Sequence, residues 1–317
     1  MRKTIFLLGS GFTKAALPHA PTNAELTSKL IQQFGSQSKI LKYKEQFATE
    51  DIEVILTQLD MRVPSNESMK LARRDIETDL VNYFRDFRFT TAALSNAPWL
   101  TAFATEVLGQ DDAIISLNYD CFLEGLLDYS KVWTPNTGYY GVDNVLIEAG
   151  LNPKRIVVYK IHGSEHFRIS SVTDRPDQDA IAFEFNNTIF PVSAANSNFG
   201  AWIDSSPYLI APRFVKIPHR QIAMMMLRLL ELICTANNFV IIGCGLRRED
   251  SFLWLLLTRF LMPKDEKHLI IVDPYADTIS KRINQYWIGD LQKYTKVTLL
   301  PLGLESSILE LSSLLRK

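Results

Sequence analysis

Four short polar or glycine-rich stretches carry groups that can move protons or hold anions: "GSGFT" (9–13), "LNYD" (117–120), "KIHGS" (160–164) and "GCGLRRED" (243–250). A fifth, "LIIVD", closes on Asp273. Glycine lets the backbone approach a phosphate closely, and N–H groups at a turn or helix start bind anions. In the first stretch Gly9, Ser10 and Gly11 would supply such a cradle, with the Thr13 hydroxyl beside it. The stretch has neither the third glycine of the dinucleotide fingerprint nor a Walker lysine, so a tight turn without ligand stays open as its alternative. Asn118 and Asp120 bring an amide and a carboxylate to one junction, where helix capping is the competing role. His162 titrates near neutrality and can take a proton from a sugar hydroxyl or water. Gly163 and Ser164 make the chain turn there, which argues against a deep core histidine and leaves a turn histidine as the alternative. His166 ranks below it, in more polar sequence. Gly243, Cys244 and Gly245 form a second glycine turn whose amides could hold phosphate or ribose. Arg247 and Arg248 would add charge there or lie as a solvated helix start. Asp273 is placed to accept hydrogen bonds from an adenosine ribose, or to cap the helix that Pro274 begins.

Every one of these stretches follows an apolar run of strand type. "KTIFLLGSGF" (3–12), "DAIISLNYD" (112–120), "KRIVVYKIHG" (154–163), "NFVIIGCG" (238–245) and "HLIIVDP" (268–274) read as buried strands, and "KVTLLPL" (296–302) as a sixth. Helices are expected over 218–236, 249–262, 277–287 and 304–316, alternating with the last three strands. That alternation predicts an α/β fold, a Rossmann-like parallel sheet with helices on both faces. Ligands of such sheets collect outside the carboxyl ends of the strands, where all five stretches would sit. Between the first two strands, residues 23–110 read mainly as helix, too much for one crossover, and predict a helical insertion. Residues 129–153 suggest loops, and 165–207 an irregular excursion or lid. The whole of 1–317 reads as one domain.

The 34 Lys and Arg against 35 Asp and Glu give a net charge of -1, which demands neither nucleic acid nor an anionic membrane as partner. Cys121, Cys234 and Cys244 form no Cys-x-x-Cys pair, so no four-cysteine zinc knuckle is available, and so sparse a count suits a reducing cytoplasm. The apolar stretch at the N-terminus is too short for a signal peptide, and "FLWLLLTRFLM" (252–262) is too short to span a bilayer. A soluble, cytoplasmic protein is expected.

Taken in order, the motifs resemble the sirtuin superfamily, specifically its sirtuin-like NAD-hydrolase branch. "LLGSGFT" resembles the Gly-Ala-Gly-x-Ser phosphate loop, with Ser10 for alanine and Thr13 for serine. "ISLNYDCFLE" resembles Thr-x-Asn-Tyr-Asp-x-x-x-Glu, and "YKIHGS" resembles Lys-Leu-His-Gly-Ser. "IIGCGLRRED" resembles Ile-Gly-Tyr-Ser-x-x-x-x-Asp, departing at Cys244 and Gly245. "DIEVILTQL" (51–59) resembles a helix of the defence-associated members, and the likeness runs from residue 5 to about 275. It implies NAD as substrate and no metal. Asn118 would position the nicotinamide ribose or the water, and His162 would act as base or ribose-hydroxyl partner. Gly9, Ser10, Gly11, Thr13, Asp120, Gly243, Cys244, Gly245 and Asp273 would bind NAD. The missing zinc cysteines point to NAD hydrolysis. A zinc-free deacylase or ADP-ribosyl transferase, and a non-catalytic NAD- or ADP-ribose-binding module, stay open as alternatives. Bacterial members of the branch deplete NAD during phage infection, often with a second component, and the resemblance implies a trigger that is a partner, a homo-oligomeric assembly, or both. The implied sensor partner is a DNA-translocating ATPase or an Argonaute-like protein.

Overall fold

The computed structural model describes residues 3–35, 38–62, 67–134, 138–139, 156–170, 180–185, 188–191, 206–209, 220–262, 266–286 and 295–315. Strand β1 (Thr4–Leu8) is an unbroken apolar run, buried on both faces as a central parallel strand must be. It pairs in parallel with β2 (Ala113–Ser116) on one side and with Asn238–Ile242 on the other. The full sheet adds β3 (Val157–Tyr159) beyond β2, and Lys267–Val272 and then Thr295–Leu300 on the opposite flank. The strands therefore run outward from β1 in both directions, which is the doubly wound Rossmann order. The chain reverses its direction of travel across the sheet between β1 and Asn238–Ile242, and that switch point is where such folds open a ligand crevice. Thr295–Leu300 is an edge strand, and it carries an exposed lysine, Lys296, which discourages pairing with another chain.

After β1, short helix α1 (Ser10–Ala16) leads to α2 (Asn23–Phe34), α3 (Lys39–Phe47), α4 (Ile52–Arg62) and α5 (Glu67–Phe84). These four pack around a core of their own that includes Leu26, Leu30, Ile40, Ile55, Leu59, Ile76 and Leu80. Helix α2 starts with a full capping box, Thr22 and Glu25 satisfying each other's backbone N–H groups. The remaining helices of the expected 23–110 insertion behave differently. α6 (Ala92–Asn96), α7 (Trp99–Ala102) and the π-turn Phe103–Val107 bury their apolar side chains in the sheet's core. Aromatic contacts fix them there: Phe12 lies 5.7 Å from Trp99 and 5.0 Å from Phe103, and Phe6 lies 6.1 Å from Phe103.

The segment expected to be irregular, 165–207, contains regular structure. Strands β4 (Gly163–Ser170), β5 (Ala180–Phe185), β6 (Thr188–Pro191) and β7 (Ser206–Leu209) form an antiparallel sheet in the order β6-β5-β4-β7. β4 is polar in sequence, whereas β5 and β6 are short apolar runs that pair with each other. Arg73 of α5 donates to the Leu209 carbonyl at 3.3 Å, which ties the helical layer to this sheet. The rest of that segment, and most of the loops expected over 129–153, lie outside the described residues.

Helix α8 (Phe122–Tyr129) follows β2, and the C-terminal third alternates as expected: α9 (Arg220–Thr235), β8 (Asn238–Ile242), α10 (Ser251–Leu261), β9 (Lys267–Val272), α11 (Ala276–Tyr286), β10 (Thr295–Leu300) and α12 (Leu304–Leu315). Among the described residues no helix is long and apolar enough to cross a membrane.

Candidate functional site

The loops after β1 and β8 meet at the switch point. The Gly9 N–H donates to the Ile242 carbonyl and the Gly11 N–H to the Gly243 carbonyl, both at 3.0 Å. No side chain fits between them. A Cβ on Gly9 would sit 2.5 Å from the Gly243 oxygen, and one on Gly11 would sit 2.7 Å from the Gly243 Cα. Gly243 has φ +57°, a left-handed conformation that glycine adopts without strain. The three glycines thus have a structural reason independent of any ligand: they let two strand ends touch.

Beside this contact lies a cavity of about 790 Å³, within the range of roughly 300–1,000 Å³ typical of small-molecule sites. All eleven residues singled out in the sequence line it: Gly9, Ser10, Gly11, Thr13, Asn118, Asp120, His162, Gly243, Cys244, Gly245 and Asp273. They come from the carboxyl ends of five parallel strands.

The buried polar groups are chained together. The Asn118 side-chain amide donates to Thr13 Oγ1 at 3.0 Å, and the Thr13 hydroxyl lies 3.2 Å from both Asp120 carboxylate oxygens. Asp120 also accepts the Phe122 N–H at 3.0 Å, so it caps α8 while it anchors Thr13. Burial pushes the Asp120 carboxyl up to about 6, against the pull of the Lys160 ammonium. Lys160 is itself sealed from solvent. It donates to the Asp120 carbonyl at 2.6 Å and pairs with Glu124 at 3.2 Å. Cys244 is buried, and its thiol is pushed up to about 12, so it lines the cavity as a protonated group. Asp273 accepts the Tyr275 N–H at 2.8 Å in the manner of a turn residue, and partial burial raises its carboxyl.

His162 follows β3 in a turn closed by the Gly163 N–H donating to the Lys160 carbonyl at 3.1 Å. Gly163 has φ +74°, and a Cβ there would meet the Tyr208 oxygen at 2.2 Å. The turn therefore presses β4 against β7 and leaves the imidazole at the cavity wall. Its Nε2 lies 2.8 Å from Asp250 Oδ2, with both side chains buried. Asp250 closes the "GCGLRRED" stretch, and the sequence alone assigned it no role at the site. Arg247 also has a definite role here. It reaches across to the start of α4, pairing with Asp51 at 2.7 Å and with Glu53, and so ties the helical layer to the β8 loop.

His166 lies elsewhere, in a buried network. Its Nδ1 is 2.9 Å from Ser164 Oγ and 2.6 Å from Cys121 Sγ, and its Nε2 is 2.9 Å from the Tyr139 hydroxyl. Burial first, and Lys160 second, hold its pKa well below the usual imidazole value, so it is neutral. Cys121, Glu165 and His166 lie close enough to ligate one ion. Their donors are engaged by protein groups instead: Arg88 contacts both Glu165 oxygens at 2.6 and 2.9 Å, and burial keeps the Cys121 thiol protonated.

No family model and no curated protein matches the chain. Solved structures of Sir2 homologues do match in chain trace. One, in complex with NAD, shares 13% identity over 99% of this chain and 89% of its own, with a TM-score of 0.38. A mutant in complex with ADP ribose shares 12% identity over 99% and 92%, with a TM-score of 0.44. A mutant in complex with 2′-O-acetyl ADP ribose shares 13% identity over 99% and 92%, with a TM-score of 0.41.

Proposed function

We propose that this chain hydrolyses NAD at the bond between nicotinamide and ribose, releasing nicotinamide and ADP-ribose. The observation that carries the reading is the shared cavity. Asn118 and His162, from the ends of adjacent strands, line the same crevice as the two touching glycine loops at the switch point. The sequence motifs that resemble the sirtuin-like NAD hydrolases are the very stretches that line it.

The residues present suit such a substrate. Backbone at Gly9–Gly11 and Gly243–Gly245 offers close approach to a pyrophosphate, and Asp273 offers an acceptor to a ribose hydroxyl. In the reaction the C1′–N bond breaks, its electron pair stays on the nicotinamide nitrogen, and a water oxygen bonds to C1′. His162 takes the proton that the water or a ribose hydroxyl gives up. Asn118, its amide held by Thr13, positions that hydroxyl or water. A transition state with positive charge on the ribose is favoured by fixed dipoles and carboxylates in a site that excludes bulk water. The three cysteines, too few for a four-cysteine zinc module, favour hydrolysis over protein deacylation.

The resemblance also supports a role as the NAD-depleting effector of an antiphage system, switched on by assembly with a DNA-translocating ATPase or an Argonaute-like partner. The test is purified protein incubated with NAD, alone and with the partner encoded beside it, read as free nicotinamide and ADP-ribose. Release that disappears in both Asn118→Ala and His162→Ala supports hydrolysis. Tight NAD binding with no release in the presence of partner overturns it in favour of a binding module. Release that requires an acylated peptide overturns it in favour of a deacylase.

A further inference from the structure

Asp250 stands at the N-cap of α10, where an aspartate ordinarily bonds to the backbone N–H groups of the first helical turn. Its side chain makes no such bond. It points instead to His162, 2.8 Å from Nε2, and both groups are almost fully removed from solvent, at 1% and 2% exposure. The loop that delivers it is shaped for the purpose. Leu246 is buried at φ +48°, a conformation that costs a residue with a Cβ roughly 1–2 kcal/mol, and Gly243 is turned the same way at φ +57°. A helix start that forgoes its cap, on a loop holding a strained leucine, directs one carboxylate onto one imidazole, while the same loop meets the Gly9–Gly11 turn and carries Arg247 to Asp51.

We propose that Asp250 is the positioning residue of His162: its carboxylate, in ion-pair contact with Nε2, keeps the proton on Nε2 and so favours the neutral tautomer with its lone pair on Nδ1. The inference rests on the hydrolase reading for its consequence in catalysis, but not for the pairing itself. In the proton transfer, the O–H bond of a water or ribose hydroxyl breaks and an N–H bond forms at Nδ1. The resulting imidazolium is balanced by the Asp250 carboxylate. Tyr119 faces the ring, its centroid 6.5 Å away, and the cavity that His162 lines also carries Lys14, Glu53, Asp120, Cys244, Arg247, Asp273, Tyr275 and Arg282. Tyr119 is held well above the usual phenol range, chiefly by burial, so it stays neutral and cannot replace the carboxylate as counter-charge.

The decisive measurement is nitrogen NMR of the ¹⁵N-labelled full chain, with the His162 signals assigned by their loss in His162→Gln. The expected wild-type ring is the Nε2–H tautomer. In Asp250→Asn its titration midpoint moves to lower pH by about one pH unit, the usual effect of removing an adjacent opposite charge. Alongside, kcat for nicotinamide release falls about 10²-fold or more while KM for NAD stays within about threefold, the signature of a lost proton-transfer geometry rather than lost binding. An Nδ1–H tautomer in the wild-type protein overturns the proposal with no variant needed. An unchanged titration in folded Asp250→Asn overturns it too. If the tautomer and the titration shift appear but the activated protein releases no nicotinamide, the pairing stands and the hydrolase reading is the one that fails.

Discussion

The side-chain amide of Asn118 donates to the hydroxyl of Thr13 across 3.0 Å, although the two residues lie 105 positions apart in the chain. Thr13 in turn rests on Asp120, so one hydroxyl links the loop after β1 to the end of β2. Replacing Thr13 by valine keeps the shape and removes the link. Two buried polar groups then lose a partner, which is expected to cost about 1–3 kcal/mol in denaturant titrations. Nicotinamide release should fall roughly tenfold to a hundredfold as the Asn118 amide drifts, while Thr13→Ser stays close to wild type.

The glycine contacts give a contrast within one cavity. Gly243→Ala forces a Cβ to 2.6 Å from the Phe12 nitrogen at a positive φ, and should destabilise the fold by roughly 1–3 kcal/mol and raise KM for NAD as the loops part. Gly303 also lines the cavity, but a Cβ there meets nothing within 4 Å. Gly303→Ala is therefore expected to be neutral or stabilising by up to about 1 kcal/mol. Thermal melts of the two variants side by side check this.

Lys160 and Glu124 form a fully buried ion pair, further tied to the Tyr139 hydroxyl, which donates to Glu124 at 3.0 Å. Lys160→Met leaves a carboxylate sealed in the core without its counter-charge and should cost about 3–5 kcal/mol. The double variant with Glu124→Gln should recover much of that loss, since an apolar or neutral replacement of both partners is often tolerated. Equal stabilities for the single and double variants in urea unfolding would count against the pairing.

Asp112 accepts N–H groups from Thr4 at 3.0 Å and Gly109 at 2.7 Å, yet burial pushes its carboxyl from 3.8 up to about 6. A folded-state pKa above the unfolded one means that the native state holds the proton more tightly. The contribution is fully present below about pH 4 and is lost as the pH rises through about 6. Asp112→Asn removes this term and is distant from the cavity. Its stability relative to wild type should improve steadily from pH 4 to pH 6. Urea midpoints across that interval test the sign, and a constant difference would refute it.

The parallel strands and their helices were legible because β1, β8 and β9 are continuous apolar runs with both faces covered, and because glycine and polar residues cut them off abruptly. The site was legible as a set of strand ends. Two features were not. Asp250 carries the local signature of a helix cap, and only the folded chain shows its side chain turned toward His162. Trp99 and Phe103 share a helical stretch with residues of the separate helical core, and apolar periodicity does not say which core a helix faces. The antiparallel sheet was harder to read for a different reason: its strands are short, and β4, which pairs with both β5 and β7, is polar in sequence.

The sheet's central pairing has a consequence for synthesis. β1 lies between β2 and β8, with Thr4 in register with Asn238 and the Gly11 N–H bonded to the Gly243 carbonyl. The first strand made must therefore wait for one made more than 230 residues later before its carboxyl end acquires a second wall. A ribosome has to deliver most of the chain before the crevice closes and Asp250 can reach His162. Translation itself thus leaves every unfinished copy without the assembled crevice.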